Sequence, residues 1–258
     1  MNKYLSIAGI TAKQAIENKM NIIGSTLLLL ILIFIYNQLW NVIGSESNEH
    51  HLNTHFIWYL LMGEIIILST SRCERLIEDD IKSGTMAYYL NKPISFFVMR
   101  FFETVSTMSV IAFFMALVGS AFAFFIIRQT PFEWYQFPII LLSVYISCLI
   151  SVLLYVAIGF SALWVKDVKI FAMVINRLAF ILGGAIFPLT IYPDWFVNIA
   201  KWTPFYSIYY LTIKLVYDFS WANLGFALLL NFAWTTAISI FIFFAYKKLQ
   251  TKVNIHGG

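Results

Sequence analysis

Two ionisable residues, Glu64 and Arg177, stand inside long apolar runs of this chain. A charge that far from water is costly unless it is paired or lines a wet route. At 1.5 Å of rise per residue, Glu64 is about 12 Å and Arg177 about 10 Å from the cytoplasmic ends of their runs. Similar depth makes them a candidate ion pair, within one subunit or across a dimer, the alternative being separate hydration or snorkelling. Such a pair could fix helix register or line a transport route, and the spacing suits both. A second candidate is the polar loop with Glu49, His51 and His55, whose two histidines four residues apart would share one helix face. Two or three ligands in a short loop are a weak zinc signal, so no metal is expected. Cys73 and Cys148 fall in different segments without a CxxC spacing, which predicts two unpaired thiols.

Several chemistries have no residues to carry them. No glycine is directly followed by lysine, so the phosphate-cradling loop G-x-x-x-x-G-K-[ST] is missing. A GxSxG elbow, an HExxH helix and an intramembrane aspartate pair are missing too, which argues against a hydrolase or protease. Glu64 stands nearly alone, whereas many proton-coupled carriers use chains of intramembrane carboxylates. The expectation is a transport subunit with no enzymatic activity and no cofactor of its own, driven from outside.

The elements that must position these residues are membrane helices. Of 258 residues, 60% are hydrophobic and only 12% charged, against about a quarter charged in an ordinary soluble domain. Six runs approach the ~20 apolar residues a crossing needs. They are Ile22 to Ile43, Phe56 to about Ser71, about Thr104 to Ile127, Phe137 to Val165, Ile170 to about Ile191, and Trp221 to Tyr246. Backbone polar groups cannot go unpaired in lipid, so the runs are helices. Lys3, Lys13, Lys19, Arg72, Arg75, Lys82, Lys92, Arg100, Lys166, Lys169, Lys247, Lys248 and Lys252 fall on one side, and Arg128, Lys201 and Lys214 on the other. The basic side is the cytoplasmic one, and both termini lie there. The first residues lack the pattern of a cleavable signal, so the first run is expected to remain as an anchor. The net charge of +4 reflects this topology and not nucleic-acid binding. Without a repeat or linker, residues 1–258 read as one all-α integral membrane domain.

Three segments are not plain spans. Residues 1–21 alternate Tyr4, Leu5, Ala8, Ala15 and Ile16 with charges, as an amphipathic helix along the inner interface does. In the cytoplasmic loop 72–100, Cys73, Leu76, Ile77 and Ile81 predict one apolar helix face, with Glu74, Glu78, Asp79, Asp80 and Lys82 mostly elsewhere. Ser83-Gly84 supplies its stop, and Asn91 and Pro93 suit the start of the next helix. In 185–220, Pro188, Pro193, Asp194, Trp195 and Pro204 interrupt an aromatic-rich stretch, predicting two short helices at the outer interface broken at Thr203-Pro204.

The layout resembles permease subunits of the type-2 ABC exporter family, in the short six-span branch encoded apart from its ATPase. Tyr4-Leu5 through Asn18-Lys19 to Leu39-Trp40 is similar to that branch's elbow helix and first span. Asp80-Ile81-Lys82-Ser83-Gly84, Tyr88-Tyr89-Leu90 and Lys92-Pro93-Ile94-Ser95 are similar to its coupling segment. Phe187-Pro188-Leu189, Tyr192-Pro193-Asp194-Trp195 and Thr203-Pro204-Phe205-Tyr206 are similar to its outer re-entrant hairpin.

This resemblance implies a dimer of identical or related permeases in a bacterial cytoplasmic (inner) membrane, with two ABC ATPase subunits docked beneath and holding the ATP and Mg. Glu78, Asp79, Asp80, Ile81, Lys82, Ser83 and Gly84 would form the ATPase contact. Efflux of a hydrophobic or amphiphilic cargo, whether lipid, drug or peptide, would be the outcome. Arg177 departs from the family's pattern. Two other readings stay open: a membrane scaffold in an ATPase-driven assembly or regulatory complex, and a gradient-driven secondary carrier.

Overall fold

Backbone groups in so apolar a chain must be satisfied within each segment, and every element among the described residues is helical. The computed structural model describes residues 2–47, 50–70, 73–90, 94–165, 167–185 and 187–256. In chain order come α1 (Asn2–Glu17), α2 (Lys19–Ser47), α3 (His50–Ser69), α4 (Cys73–Lys82), α5 (Thr85–Leu90), α6 (Phe96–Ile127), α7 (Gln136–Phe160) and α8 (Val168–Leu182). Then come α9 (Asp194–Ala200), a π-helical stretch Tyr206–Leu211 continued by α10 (Thr212–Lys214), and α11 (Trp221–His256). Asn91 and Pro93 lie outside the described residues; α6 begins at Phe96, after Ser95.

Five helices are long and apolar enough to cross a membrane: Lys19–Val42, the run starting at Thr54, Phe96–Ile127, Gln136–Phe160 and Trp221–Lys247. They are not equivalent. Of the most apolar stretch in each, 75% is buried within the chain in α3 and 61% in α7, against 17% in α2, 22% in α11 and 28% in α6. So α3 and α7 form the core. The others turn side chains such as Leu27, Phe34, Phe113, Phe125, Phe232 and Phe244 outward, more apolar surface than a water-soluble monomer carries. The protein is therefore a membrane protein whose peripheral helices face lipid.

The stretch read as the fifth crossing is shorter than its hydropathy suggests. α8 holds 15 residues, about 22 Å, and stops at Gly183, whose N–H reaches the Ala179 carbonyl at 3.0 Å. Gly184 has φ +58°, a left-handed conformation that ends the helix and that other residues rarely adopt. Pro188 and a 3₁₀ turn, Leu189–Ile191, take the place of the remaining helix. The non-helical backbone is shielded by α3, where the Tyr59 hydroxyl donates to the Gly184 carbonyl at 2.5 Å. Buried hydroxyls fasten the return through α10: Thr212 and Ser147 are 2.7 Å apart, and Asn231 of α11 donates to Ser147 at 3.4 Å.

At the other end, α1 runs along the first turns of α6. The Ser95 N–H donates to the Tyr4 hydroxyl at 2.9 Å, Ser106 donates to the Ala8 carbonyl at 2.8 Å, and the Tyr4 and Phe102 rings stack at 5.8 Å.

Tyr59→Phe removes a donor from the buried Gly184 carbonyl, at a cost of about 1–3 kcal/mol. We expect a lower melting temperature for this variant in mild detergent, read by intrinsic fluorescence.

Candidate functional site

The segment after α3 folds as two short helices held against the ends of its neighbours. Local chemistry favours α4 where it forms. Glu74 is in its first turn and Lys82 in its last, each matching the helix dipole, and Lys82 is four residues beyond Glu78, to which it is ion-paired. It stops at Gly84, φ +75°, with the Ser83 N–H on the Asp79 carbonyl at 2.9 Å and the Gly84 N–H on the Ile81 carbonyl at 3.3 Å.

Its buried face is rotated from the one its apolar residues predict. Cys73 and Ile77 are buried and Ile81 is half-buried, but Leu76 is 54% exposed, and Glu74 and Glu78 point inward. The cause is a close approach to α7. A Cβ on Gly159 would sit 2.9 Å from the Ile77 Cβ and 3.2 Å from the Glu74 Cα, so α4 rolls its 73/77 and 74/78 edges into the notch that α7 offers there. Glu78 tolerates burial because it has partners: its Oε1 accepts from the Val168 N–H at 3.3 Å and from Lys82 Nζ at 2.5 Å. That hydrogen bond holds the Lys82 ammonium above the usual lysine value. A carboxylate on the first amide of α8 also sits at the positive end of that helix.

Asp80 completes the attachment, pairing with Arg100 of α6 at 2.5 Å, while Arg100 also holds Glu103 at 2.7 Å. The seven residues expected to meet a partner thus divide. Glu78 and Asp80 tie α4 to α8 and α6, and Ile81 packs inward in part. Asp79, Lys82, Ser83 and Gly84 are exposed together on the rim, continued by Tyr88 of α5.

Glu64 and Arg177 are not brought together within the chain. Glu64 is 4% exposed inside α3, within electrostatic reach of Tyr36 of α2 and of Tyr209. Arg177 lies exposed on α8, which packs on α4 and α7. Among the described residues no ion pair includes either of them. Arg177 instead lines a groove of about 860 Å³ between α2 and α8, floored by Ile67 and Leu68 of α3 and Tyr155 of α7. Arg75 and Lys169 line it too. Sequence reasoning used those two only for topology, although Lys169, Met173, Asn176, Arg177 and Phe180 recur at the spacing of one helix face.

Of the interrupting residues, Pro188 is buried ahead of the 3₁₀ turn and Pro193 caps α9. Asp194 is the acid in its first turn, Trp195 is 66% exposed, and Pro204 begins the return towards α10. His55 meets Tyr217 edge-on at 6.4 Å, whereas Glu49 and the His51 side chain lie outside the described residues. Cys73 and Cys148 are free and buried, and the Ser69 hydroxyl faces the Cys148 sulfur at 3.6 Å. Compared with known proteins, the chain matches no family model and no curated relative.

The Gly159 contact makes Cys73 a reporter of α4. In a Cys148→Ala background Cys73 is the one thiol left. It should resist a bulky maleimide until Gly159→Leu levers α4 away. Labelling should then run about tenfold faster, equivalent to about 1.4 kcal/mol off local opening. Equal rates would mean that α4 does not depend on this notch.

Proposed function

We propose that this chain is the permease subunit of an ATP-driven exporter of the type-2 kind, with α4 as its docking helix for a separate ATPase. One observation carries the reading: α4 is bonded on its inner side to the starts of α6 and α8 and wedged on Gly159 of α7, while Asp79, Lys82, Ser83 and Gly84 are left open on its outer side. A push on the open side passes through Glu78 into α8 and through Asp80 into the long α6 at once. Helices move on one another as packed units with discrete arrangements, so such a push selects between states of the bundle. The likeness of the 80–84, 88–90 and 92–95 segments to the coupling segment of that family supports the same reading.

On this proposal the chain hydrolyses nothing, and ATP and Mg belong to two copies of the partner ATPase. A second permease, identical or related, completes the pathway. The complex sits in a bacterial cytoplasmic membrane with both termini inside. α8 and the segment up to Ile191 make a sixth crossing, α1 lies along the inner interface, and residues 185–220 form the re-entrant hairpin at the outer one. Glu64 and Arg177 serve the route, and the cargo is hydrophobic or amphiphilic.

The first experiment is a mild-detergent pull-down of the tagged chain from its native membranes, with stoichiometric partners identified by mass spectrometry. An equimolar P-loop ATPase is expected. Its repeated absence with the chain intact would leave a gradient-driven carrier, and an ATPase that hydrolyses without moving cargo in proteoliposomes would leave a scaffold. Within the complex, Asp79→Lys with Gly84→Val should release the ATPase. Asp80→Asn should keep it bound and lower transport-linked hydrolysis, because Asp80 faces Arg100 and not the rim.

A further inference from the structure

The groove between α2 and α8 has an uneven lining. At its cytoplasmic end stand Arg75, at the start of α4, and Lys169, in the first turn of α8. Arg177 is eight residues further along α8, about 12 Å, and side chains on a helix lean towards its N-terminus, which brings its guanidinium back towards Lys169. All three cations are exposed. Among the described residues none has a carboxylate within 4.0 Å. One carboxylate, the buried Glu74, shares the lining, so its balance is positive. Met173 lies between the two cations of α8, and beyond Arg177 the wall is apolar at Phe180, facing Leu28 of α2 with Ile67 and Ile111 on the floor. Asn176 is tied to Tyr155 by a hydrogen bond that joins the α8 wall to the floor.

We infer that this groove binds an anionic amphiphile from the inner leaflet, its phosphate held by Arg75, Lys169 and Arg177 and its chains lying against the apolar upper wall. The volume is within the ~300–1,000 Å³ of small-molecule sites and suits a headgroup with the first part of its chains. Basic pockets between membrane helices on the cytoplasmic side are built for such headgroups, and a guanidinium offers a phosphate two parallel hydrogen bonds. A second copy of the chain does not fill the groove, because a two-fold contact through it would bring six cations together. A cationic cargo meets the same repulsion. The inference rests on the permease reading only in making this amphiphile the cargo class.

The test is native mass spectrometry of the purified full-length chain in nonionic detergent, with equal amounts of phosphatidylglycerol and phosphatidylcholine of the same chains. Phosphatidylglycerol adducts should dominate by at least about fivefold, the discrimination a single membrane-surface cation supplies. The combined Arg75→Gln, Lys169→Gln and Arg177→Gln variant should bring the ratio close to one. A control with Lys3→Gln, Lys13→Gln and Lys201→Gln, equal in charge change but outside the groove, should keep it. Inorganic phosphate in large excess should leave the adducts in place. No preference in the unmodified chain, equal loss in the control, or displacement by inorganic phosphate would each overturn the site, the last by assigning it to a free anion. The ATPase plays no part here. Failure with an ATPase present in the pull-down moves the cargo elsewhere, whereas selective binding without any ATPase keeps the site and removes ATP-driven export.

Discussion

The Glu78 carboxylate is taken out of water at one end of the bundle, and much of the architecture at that end depends on satisfying it. A buried charge without hydrogen bonds costs several kcal/mol. This one is met by the first amide of α8 and by the ammonium one turn further along its own helix. Because one of those partners is backbone at the start of another helix, α4 cannot drift without losing that bond. Gly159 allows the approach that makes the bond possible, and Asp80 with Arg100 fixes the remaining rotation. A ten-residue helix that would be marginal alone becomes a rigid fitting.

Lipid as solvent explains why the polar side chains of the central helices turn inward. α3 and α7 sit among other helices and carry Glu64, Ser143, Ser147 and Ser151, while α2, α6 and α11 present Leu, Ile and Phe outward. Between membrane helices, small and hydroxylated residues allow close packing and supply hydrogen bonds that lipid cannot. The link from Asn231 through Ser147 to Thr212 obeys this rule and ties three separate elements together.

Much of this was legible in the sequence, for physical reasons that differ by element. Long charge-free runs such as Ile22 to Ile43 permit one backbone solution, so helix type came directly from composition. The stop at Gly84 was readable because a local rule governs it. The orientation of α4 was not: apolar periodicity points to Leu76, whereas the notch at Gly159, on a helix far along the chain, selects Glu74 and Glu78. The end of α8 was half legible, since Gly183-Gly184 and Pro188 weaken a helix there while hydropathy over Ile181 to Ile191 stays high and carries the run on. Glu64 and Arg177 matched in depth, yet depth along a helix says nothing about which way each helix is turned.

The shortness of α8 bears on the membrane itself. Its roughly 22 Å are less than a hydrocarbon layer about 30 Å thick, and Gly183 to Ala185 after it are buried against Gly63 of α3 and against Tyr209. On the six-span reading proposed above, a bilayer meeting that flank thins, or the protein tilts, at a fraction of a kcal/mol per Å of mismatch. The α8 flank then favours shorter or more disordered chains than the α6 side, where 32 helical residues reach across with length to spare. On that reading the protein carries a built-in asymmetry of thickness around its circumference, and acyl-chain length becomes a variable to which its two sides respond in opposite directions.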